Sequence, residues 1–381
     1  MIRLILRISI SLMLLALIII FCVFFLTSAY GLQTTASLAN IFVPGLEIGE
    51  THGTLANHFE LDNIKYKNNN IQFHAKRLAI TWKWHELLNS KINIAKLFAE
   101  NGTLTLVKSK SKFNSSFNLY IKDAEVKDFS VHLDNFNKWI NGKELNIKQL
   151  KFSTRLTHKK HKPNTLLISE LQAFANNSPI TAQVDASWKK KNFQINKLNL
   201  SFGNNKLVVS GSKEKTWNLN WLLTALELNK ISLIHGELFS KGSITGPLKN
   251  PNVIISLKSK GLLFKNYQIK NINASSQFGI LPNSKITVNV ISDDVFYNNT
   301  KLKRFILKVE GSLESHFIHL QGLGEQTHFN LNINGESDLK SWKERIENFS
   351  FYSKDFGDWH TQNATQLTIF TNTIQLNPIC L

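Results

Sequence analysis

Apolar and polar residues alternate with a period of two over long stretches of this chain. In residues 328–334, for example, Phe329, Leu331 and Ile333 alternate with histidine and asparagine. Successive side chains of a β-strand point to opposite faces of the sheet, so each stretch predicts a strand with one apolar and one polar face. Clusters of Asn, Gly and Pro separate the stretches, and on the order of twenty short strands at about 8–12-residue spacing are predicted.

Helical patterns are sparse outside the N-terminus. The strongest pattern is a stripe of Leu219, Leu222, Leu223 and Leu226, at the spacing of one helix face. Short helices are predicted at residues 82–88, 135–140, 218–228 and 341–347. No Pro/Gly/Ser-rich linker divides the chain after Ala36, so a single elongated β region is predicted over residues 31–381.

Residues 4–26 are almost wholly apolar, and only Arg7, Ser9 and Ser11 interrupt them. A helix needs about 20 apolar residues to cross roughly 30 Å of hydrocarbon, whereas the apolar core of a cleaved signal peptide has about 7–15. The length therefore predicts an uncleaved anchor, and Thr27-Ser28-Ala29 leaves cleavage as the alternative. The predicted anchor residues are Leu4, Ile5, Leu6, Leu12, Leu14, Leu15, Leu17, Ile18, Ile19, Ile20, Phe21, Val23, Phe24, Phe25 and Leu26.

The basic residues at the N-terminus predict the orientation of the chain. Arg3 and Arg7 flank the start of the apolar run and favour a cytoplasmic N-terminus. Residues 1–30 are then a cytoplasmic stub with a single-pass anchor in a bacterial inner membrane, and the body lies in the periplasm. The many lysines of the body do not oppose this topology, because long domains are translocated largely regardless of charge.

The formal net charge of +18 raises the question of an anionic partner. Lipid headgroups and nucleic acid are both possible in principle, with headgroups favoured. Most lysines lie singly on polar strand positions, however, which is typical of a solvated face. We therefore expect no nucleic-acid partner.

No catalytic or metal-binding constellation is recognisable in the sequence. Asp293-Asp294 is interpreted as a solvated turn at a strand end, and the twelve histidines are scattered. Cys22 and Cys380 lack the spacing of a metal site and are not expected to form a disulfide. The chain is therefore expected to be non-enzymatic and to use no cofactor or metal.

Motifs after the apolar run resemble a known family. Val43-Pro-Gly-Leu-Glu-Ile-Gly49, Gly53-Thr-Leu55 and the strand from Phe59 to Tyr66 are similar to the start of TamB proteins, the inner-membrane subunits of the translocation and assembly module in the AsmA-like group. The blocks Trp84-His-Glu-Leu-Leu88, with Gly102-Thr-Leu-Thr-Leu106, and His235 to Pro247 continue the similarity.

The resemblance implies a fold and a function. The fold is all-β: one transmembrane helix followed by a long, curved, trough-like β-sheet with a few short helices. The implied function is a conduit that moves phospholipid between the inner and outer membranes, or support of outer-membrane protein assembly with a TamA-like partner. TamB proteins are normally several times longer, so a chain truncated at its C-terminus is expected, which puts partner binding in doubt. A non-conducting scaffold or tether, or a non-functional fragment, is the alternative.

The alternating pattern supplies an independent reason to expect a lipid groove. A sheet with one apolar face must cover that face, and too few amphipathic helices are predicted to do so. An ordinary closed sandwich or barrel core is the alternative. The candidate groove-lining residues are Leu104, Leu106, Leu198, Leu200, Ile286, Val288, Val290, Leu307, Val309, Phe329, Leu331 and Ile333.

The length of the apolar run gives a direct test of the anchor. N-terminal sequencing of the protein purified from membranes is expected to read from the start of the chain, before Leu4. A mature N-terminus at Tyr30, after cleavage at Ala29, would instead identify residues 1–29 as a removed signal peptide.

Overall fold

The computed structural model describes residues 23–106, 118–133, 147–157, 162–175, 177–298, 300–337, 341–370 and 373–378. Strands make up 71% of the structure, which confirms the prediction of a mostly β protein. The chain forms two compact units, Met1–Lys189 and Lys190–Leu381. The predicted single curved sheet over both, and the domain boundary at residue 30, stay predictions.

The described part of the N-terminus is helical and contains a sharp break at Ser28. Residues 23–27 are helical, and helix α1 (Ala29–Phe42) follows. Ser28 has extended backbone angles, and its side chain accepts a hydrogen bond from the Gly31 amide at 3.0 Å, the usual role of serine before a helix.

The predicted anchor lies mostly outside the described residues. Positions 4–22 are not covered, whereas Val23, Phe24, Phe25 and Leu26 belong to the short helical segment before Ser28. Within the described ranges, which begin at Val23, no helix has the length and apolar character needed to cross a membrane.

The first unit is built on a mixed sheet. Strands β1 and β2 pair with β3, and β3, β4 and β5 follow one another antiparallel. Strands β6 and β7 run parallel to β5, and β8, β9 and β10 continue antiparallel. The strands are β1 (Leu46–Glu47), β2 (Thr51–Gly53), β3 (His58–Lys67), β4 (Ile71–Trp82), β5 (Lys91–Leu106), β6 (Asn118–Ile121), β7 (Ala124–Leu133), β8 (Ile147–Thr157), β9 (Asn164–Ala175) and β10 (Ser178–Lys189).

One face of the first sheet carries a small apolar core. Its buried members are Leu61, Ile64, Ala75, Ala99 and Phe129. The pairs along the ladders put them side by side, since Leu61 lies opposite Leu78, which lies opposite Ala99. The result is one layer of apolar side chains on the sheet.

A row of residues in the left-handed conformation crosses this core. Asn63, Asn101 and Asp128 take positive φ angles of 51°, 50° and 48° at the same level of β3, β5 and β7. The pairing keeps its register there, but the alternation of faces is interrupted, so that buried core positions are three residues apart, as for Leu61 and Ile64. Asn and Asp tolerate this left-handed conformation better than most residues.

The second unit is a meander in which each strand from β11 to β21 pairs antiparallel with the next. Strand β21 also pairs with both β22 and β23, and β23 pairs with β24. The strands are β11 (Asn192–Phe202), β12 (Asn205–Lys213), β13 (Thr216–Ala225), β14 (His235–Pro247), β15 (Asn252–Phe264), β16 (Tyr267–Gly279), β17 (Ile286–Tyr297), β18 (Thr300–Gly311), β19 (His316–Leu323), β20 (Thr327–Ser337), β21 (Ser341–Ser353), β22 (Gly357–His360), β23 (Thr365–Phe370) and β24 (Ile374–Leu376).

Two helix predictions were wrong. Residues 218–228 form most of β13 and the start of a 3₁₀ turn (Leu228–Lys230), because Leu219, Trp221 and Leu223 also alternate with period two and both neighbouring strands pair with them. Residues 341–347 lie in β21, which bonds to strands on both sides. The helix at 82–88 is present as a 3₁₀ helix (Trp84–Asn89), and 135–140 lies outside the described residues.

Gly102 lies inside β5 and is buried. It pairs with Phe129 of β7, and a β-carbon at this position would collide with the Phe129 ring and with the backbone oxygen of His74. The missing side chain therefore makes room for the aromatic ring in the core.

Replacing Gly102 with alanine is expected to destabilise the first unit by about 1–3 kcal/mol, because the added methyl group overpacks the core against Phe129. The measurement is chemical denaturation of the full chain followed by circular dichroism. Thr103→Ala, at the exposed neighbouring position, is the control and is expected to change stability by no more than about 0.5 kcal/mol. Equal stability of both variants would contradict the packing role of Gly102.

Candidate functional site

Two adjacent rows of mostly apolar side chains cross the second unit on one face of its sheet, which we call the apolar face. Residues directly opposite in an antiparallel pair share a face, so each row can be followed from strand to strand. The first row is Leu200, Leu207, Leu223, Ser240, Leu257, Ala274, Val290, Leu307, Leu320, Leu331 and Phe349. The second row is Leu198, Val209, Trp221, Gly242, Ile255, Ser276, Val288, Val309, Ile318, Ile333 and Ile346.

The opposite face of the same strands is polar. The row that lies between the two apolar rows in sequence contains, in strand order, Asn199, Val208, Leu222, Lys241, Ser256, Ser275, Asn289, Lys308, His319, Asn332 and Asn348. Side-chain hydrogen bonds link its members: Asn332 contacts His319 at 2.7 Å and donates to Asn348 at 2.8 Å. The two faces thus differ sharply in chemistry.

The apolar face is only half-buried. Among the described residues of the second unit, Ala225 and Leu228 have the only buried apolar side chains besides Pro251. Row members such as Val288, Leu307 and Leu331 are half-buried, shielded by their neighbours within the sheet. A closed sandwich would bury such residues, so the described part of this unit lacks the second layer of an ordinary core.

The ladders bring most of the predicted groove residues together. Leu200, Val290, Leu307 and Leu331 lie in the first row, and Leu198, Val288, Val309 and Ile333 lie in the second. Ile286 and Phe329 extend the same face by one position on either side, because each is two residues from a row member in its strand. That these ten residues contact lipid stays a prediction.

Leu104 and Leu106, the other two candidates, belong to the first unit. Leu104 pairs with Phe73 and Val131 and packs against the apolar core there. Leu106 pairs with Ile71 and is 38% exposed.

Glycines on the apolar face lie beneath aromatic rings. A β-carbon on Gly242 would collide with the Trp221 ring, and one on Gly322 would collide with the Phe329 ring. A ring that lies across a strand glycine covers backbone that would otherwise be open to solvent. The face therefore remains continuous where the row contains glycine.

A buried ionisable pair interrupts the apolar face near one end of the strands, and nothing in the sequence analysis singled it out. His316 Nε2 lies 3.0 Å from Glu344 Oε1, and the two side chains are 3% and 7% exposed. Both lie above Gly335, where any β-carbon would occupy the position of the carboxylate. Among the described residues, His316 Nδ1 and Glu344 Oε2 find no hydrogen-bond partner.

The position of this pair follows from the strand register. His316 and Glu344 each lie opposite Gly335, two residues beyond Ile318 and Ile346 of the second row. Their sequence separation of 28 residues hides the contact, because neither residue is part of a recognisable motif. Replacing one partner of such a buried pair is strongly destabilising, because the other ionisable side chain is then buried without a partner.

Asp294 on β17 is paired with lysines of both neighbouring strands. Asp294 contacts Lys301 at 3.0 Å and Lys270 at 3.2 Å. Hydrogen bonds from Lys301 and then from Lys270 hold the pKa of Asp294 below its usual range. Asp294 lies inside β17 in the left-handed conformation, with φ of 49°, rather than in the strand-end turn predicted for Asp293-Asp294.

One group of side chains in the described ranges has the geometry to hold a metal ion. Glu50, His52 and Asp62 each offer a ligand atom within 4.8 Å of the others. Glu50 and His52 are largely exposed, and His52 lies 3.4 Å from Asp62 as an ordinary surface pair. This geometry alone does not support a metal function.

A family model supplies the identification that the fold alone does not. The model for the N-terminal domain of TamB matches residues 17–162 and 149–381, which together cover nearly the whole chain. The chain belongs to the TamB family. TamB proteins are proteins of the cell envelope. The family predicted from the motifs at residues 43–66 is thereby confirmed.

One curated relative matches part of this chain. It is 32% identical over 142 residues to an uncharacterized protein of Buchnera aphidicola subsp. Baizongia pistaciae (strain Bp), a match that covers 32% of this chain and 20% of the relative. The matched part of the chain thus spans a fifth of that relative's length. No solved structure matches the chain.

The buried pair makes a testable contribution to the stability of this TamB-family chain. His316→Leu and Glu344→Leu are each expected to lower the free energy of unfolding by about 3–5 kcal/mol, because each leaves one ionisable group buried without its partner. The double variant is expected to recover most of the loss, since it removes both groups. Thermal unfolding of the full chain in detergent measures all three, and additive losses in the double variant would show that the pair does not act as a unit.

Proposed function

We propose that this chain is a non-enzymatic lipid conduit of the envelope, in which the apolar face of the second unit carries the acyl chains of phospholipid. The single observation behind this proposal is the uncovered double row of apolar residues. Membership of the TamB family supports a role in envelope lipid transport or assembly.

The energetic argument is that the apolar face needs a cover. Each large apolar side chain left in water forgoes about 1.5–3 kcal/mol relative to full burial. Ten such residues, even half-shielded by their neighbours, amount to a cost comparable to the roughly 5–15 kcal/mol that stabilises a typical protein. Acyl chains offer a fluid apolar layer that can cover the face and still move along it.

The dimensions of the rows suit a lipid better than a small ligand. Strands are spaced by about 4.8 Å, so the rows from β11 to β21 extend over roughly 50 Å along the sheet. One leaflet of a bilayer contributes about 15 Å of hydrocarbon, half of the core thickness. Several lipids in succession therefore fit along the face, as transport along a track requires.

The membrane location and the partners belong to the same proposal. We place the N-terminal apolar run in the inner membrane, with the body in the periplasm, because of Arg3 and Arg7 and the length of the run. Phospholipid is then the cargo and the inner membrane its source. A TamA-like outer-membrane protein is the proposed partner for assembly functions of the longer TamB-family proteins.

Photocrosslinking tests the proposal at the resolution of one residue. A photoreactive amino acid at Val288 or Leu331, on the apolar face, is expected to capture phospholipid in cells. The same group at Asn289 or Asn332, the adjacent positions on the polar face, is the matched control and is expected to capture little. Mass spectrometry of the crosslinked chain identifies the lipid.

A charged residue placed on the apolar face is expected to reduce the capture of phospholipid. Val288→Asp is expected to reduce capture at Leu331, because an ionised group strands its charge among the acyl chains, whereas Asn289→Asp is expected to leave it unchanged. Equal capture on both faces, or none on the apolar face of the folded protein, would refute the conduit and favour a scaffold without lipid.

A further inference from the structure

Helix α1 presents an unusual surface for a helix that follows a membrane segment. Tyr30, Ile41 and Phe42 are 71%, 74% and 75% exposed, and Leu38 is 47% exposed. Leu38 and Ile41 lie one helical turn apart and share a side of the helix. Exposed large apolar residues in such a group mark an interaction surface more often than an accident of composition.

The opposite side of α1 is fixed to the first unit. Leu32 and Ala36 are buried, and the helix packs beside β1 and β2. The Asn40 side chain makes two hydrogen bonds with the backbone of Ile48: its amide donates to the carbonyl at 3.1 Å, and its oxygen accepts from the N–H at 2.8 Å. The exposed side of the helix therefore has a set orientation on the body.

Three hydroxyl groups of α1 form their hydrogen bonds within the helix. The hydroxyls of Thr34, Thr35 and Ser37 donate to the carbonyls of Tyr30, Gly31 and Gln33, each four residues earlier, at 2.8–3.0 Å. Serine and threonine make this local bond in transmembrane helices, where no water is present to take it. The helix thus needs little water around its hydroxyls.

Charge is also missing from this part of the chain. The sequence contains no Lys, Arg, His, Asp or Glu between Arg7 and Glu47, a stretch that includes the apolar run and the whole of α1. A helix at a membrane surface usually keeps a charged side toward water. Here the first unit covers that side instead, so a charged side is not required.

From these observations we propose that α1 lies in the surface layer of the lipid bilayer, with Leu38, Ile41 and Phe42 inserted among the lipids. Tyr30 lies about two turns earlier in the same helix, where it is exposed and suited to the level of the headgroups. The backbone break at Ser28 turns the chain from the preceding helical segment into α1. The carbonyl of Leu26 accepts a hydrogen bond from Ala56 at 2.9 Å, which ties that segment to the body as well.

This placement deepens the proposed function, and it rests on the membrane location proposed there. It sets β1 to β3 directly at the bilayer surface. Leu46, at the start of β1, packs against the apolar core of the first unit. Lipid would therefore reach an apolar sheet face without crossing water.

The test uses collision of spin labels with relaxing agents on the full chain in phospholipid vesicles. Cys22 and Cys380 are first replaced by serine, and a single nitroxide-labelled cysteine is placed at Ile41. The matched control is Leu88, which is 83% exposed on the 3₁₀ helix of the same unit. The ratio of oxygen to water-soluble nickel collisions is expected to be several-fold higher at Ile41 than at Leu88.

Three results would overturn the inference. Nickel collisions at Ile41 equal to those at Leu88 would show that the helix faces water. Protection of Ile41 from both reagents would show that a protein, such as a second copy, covers it. Failure of the chain to bind vesicles would show that α1 does not lie in a bilayer. Phospholipid capture at Val288 is measured separately, so α1 can fail while the conduit stands.

Discussion

Backbone pairing between antiparallel strands determines which side chains of the second unit share a face. Once Val290 lies opposite Leu307, and Leu307 opposite Leu320, every alternate residue of those strands is committed to the same side. The period-two sequence then separates apolar from polar residues over eleven consecutive strands. The apolar face, the polar face and the proposed function all follow from this register, because a slip by one residue would exchange the two faces in that strand.

Much of this arrangement is predictable from alternation alone, which is strongest in strands such as β17 and β20. The predicted residues Val288 and Leu331 fall on one face because the pairing from β17 through β18 and β19 to β20 keeps its register across them. The left-handed positions are harder to predict: at Asn63 the spacing of core residues changes to three, and the only sequence signal is one Asn among many. The sequence predicts a turn at Asp293-Asp294 for the same reason, since positive φ within a paired strand leaves almost no trace in composition.

Local sequence patterns give the wrong secondary structure where pairing with neighbouring strands outweighs them. The leucines at 219, 222, 223 and 226 fit a helix stripe, whereas Leu219, Trp221 and Leu223 fit a strand, and pairing with β12 and β14 decides for the strand. The contact between His316 and Glu344 depends on the registers of β19, β20 and β21 together, so no single segment contains it. The exposed surface of α1 was equally hidden, because the sequence shows the apolar residues but not which of them the first unit covers.

The central claim is that acyl chains occupy the apolar face, and fluorescence quenching tests it most directly. Trp221 lies in the second row, and Leu222, its neighbour, points to the polar face and is 51% exposed. Two full-length variants with a single tryptophan each are compared in vesicles that contain phospholipid with brominated acyl chains. In both, the other tryptophans are replaced by phenylalanine. The first keeps Trp221, and the second has Trp221→Phe together with Leu222→Trp. Strong quenching of Trp221 and weak quenching at position 222 is the predicted result. Equal quenching at both positions, or none at Trp221, would contradict the account.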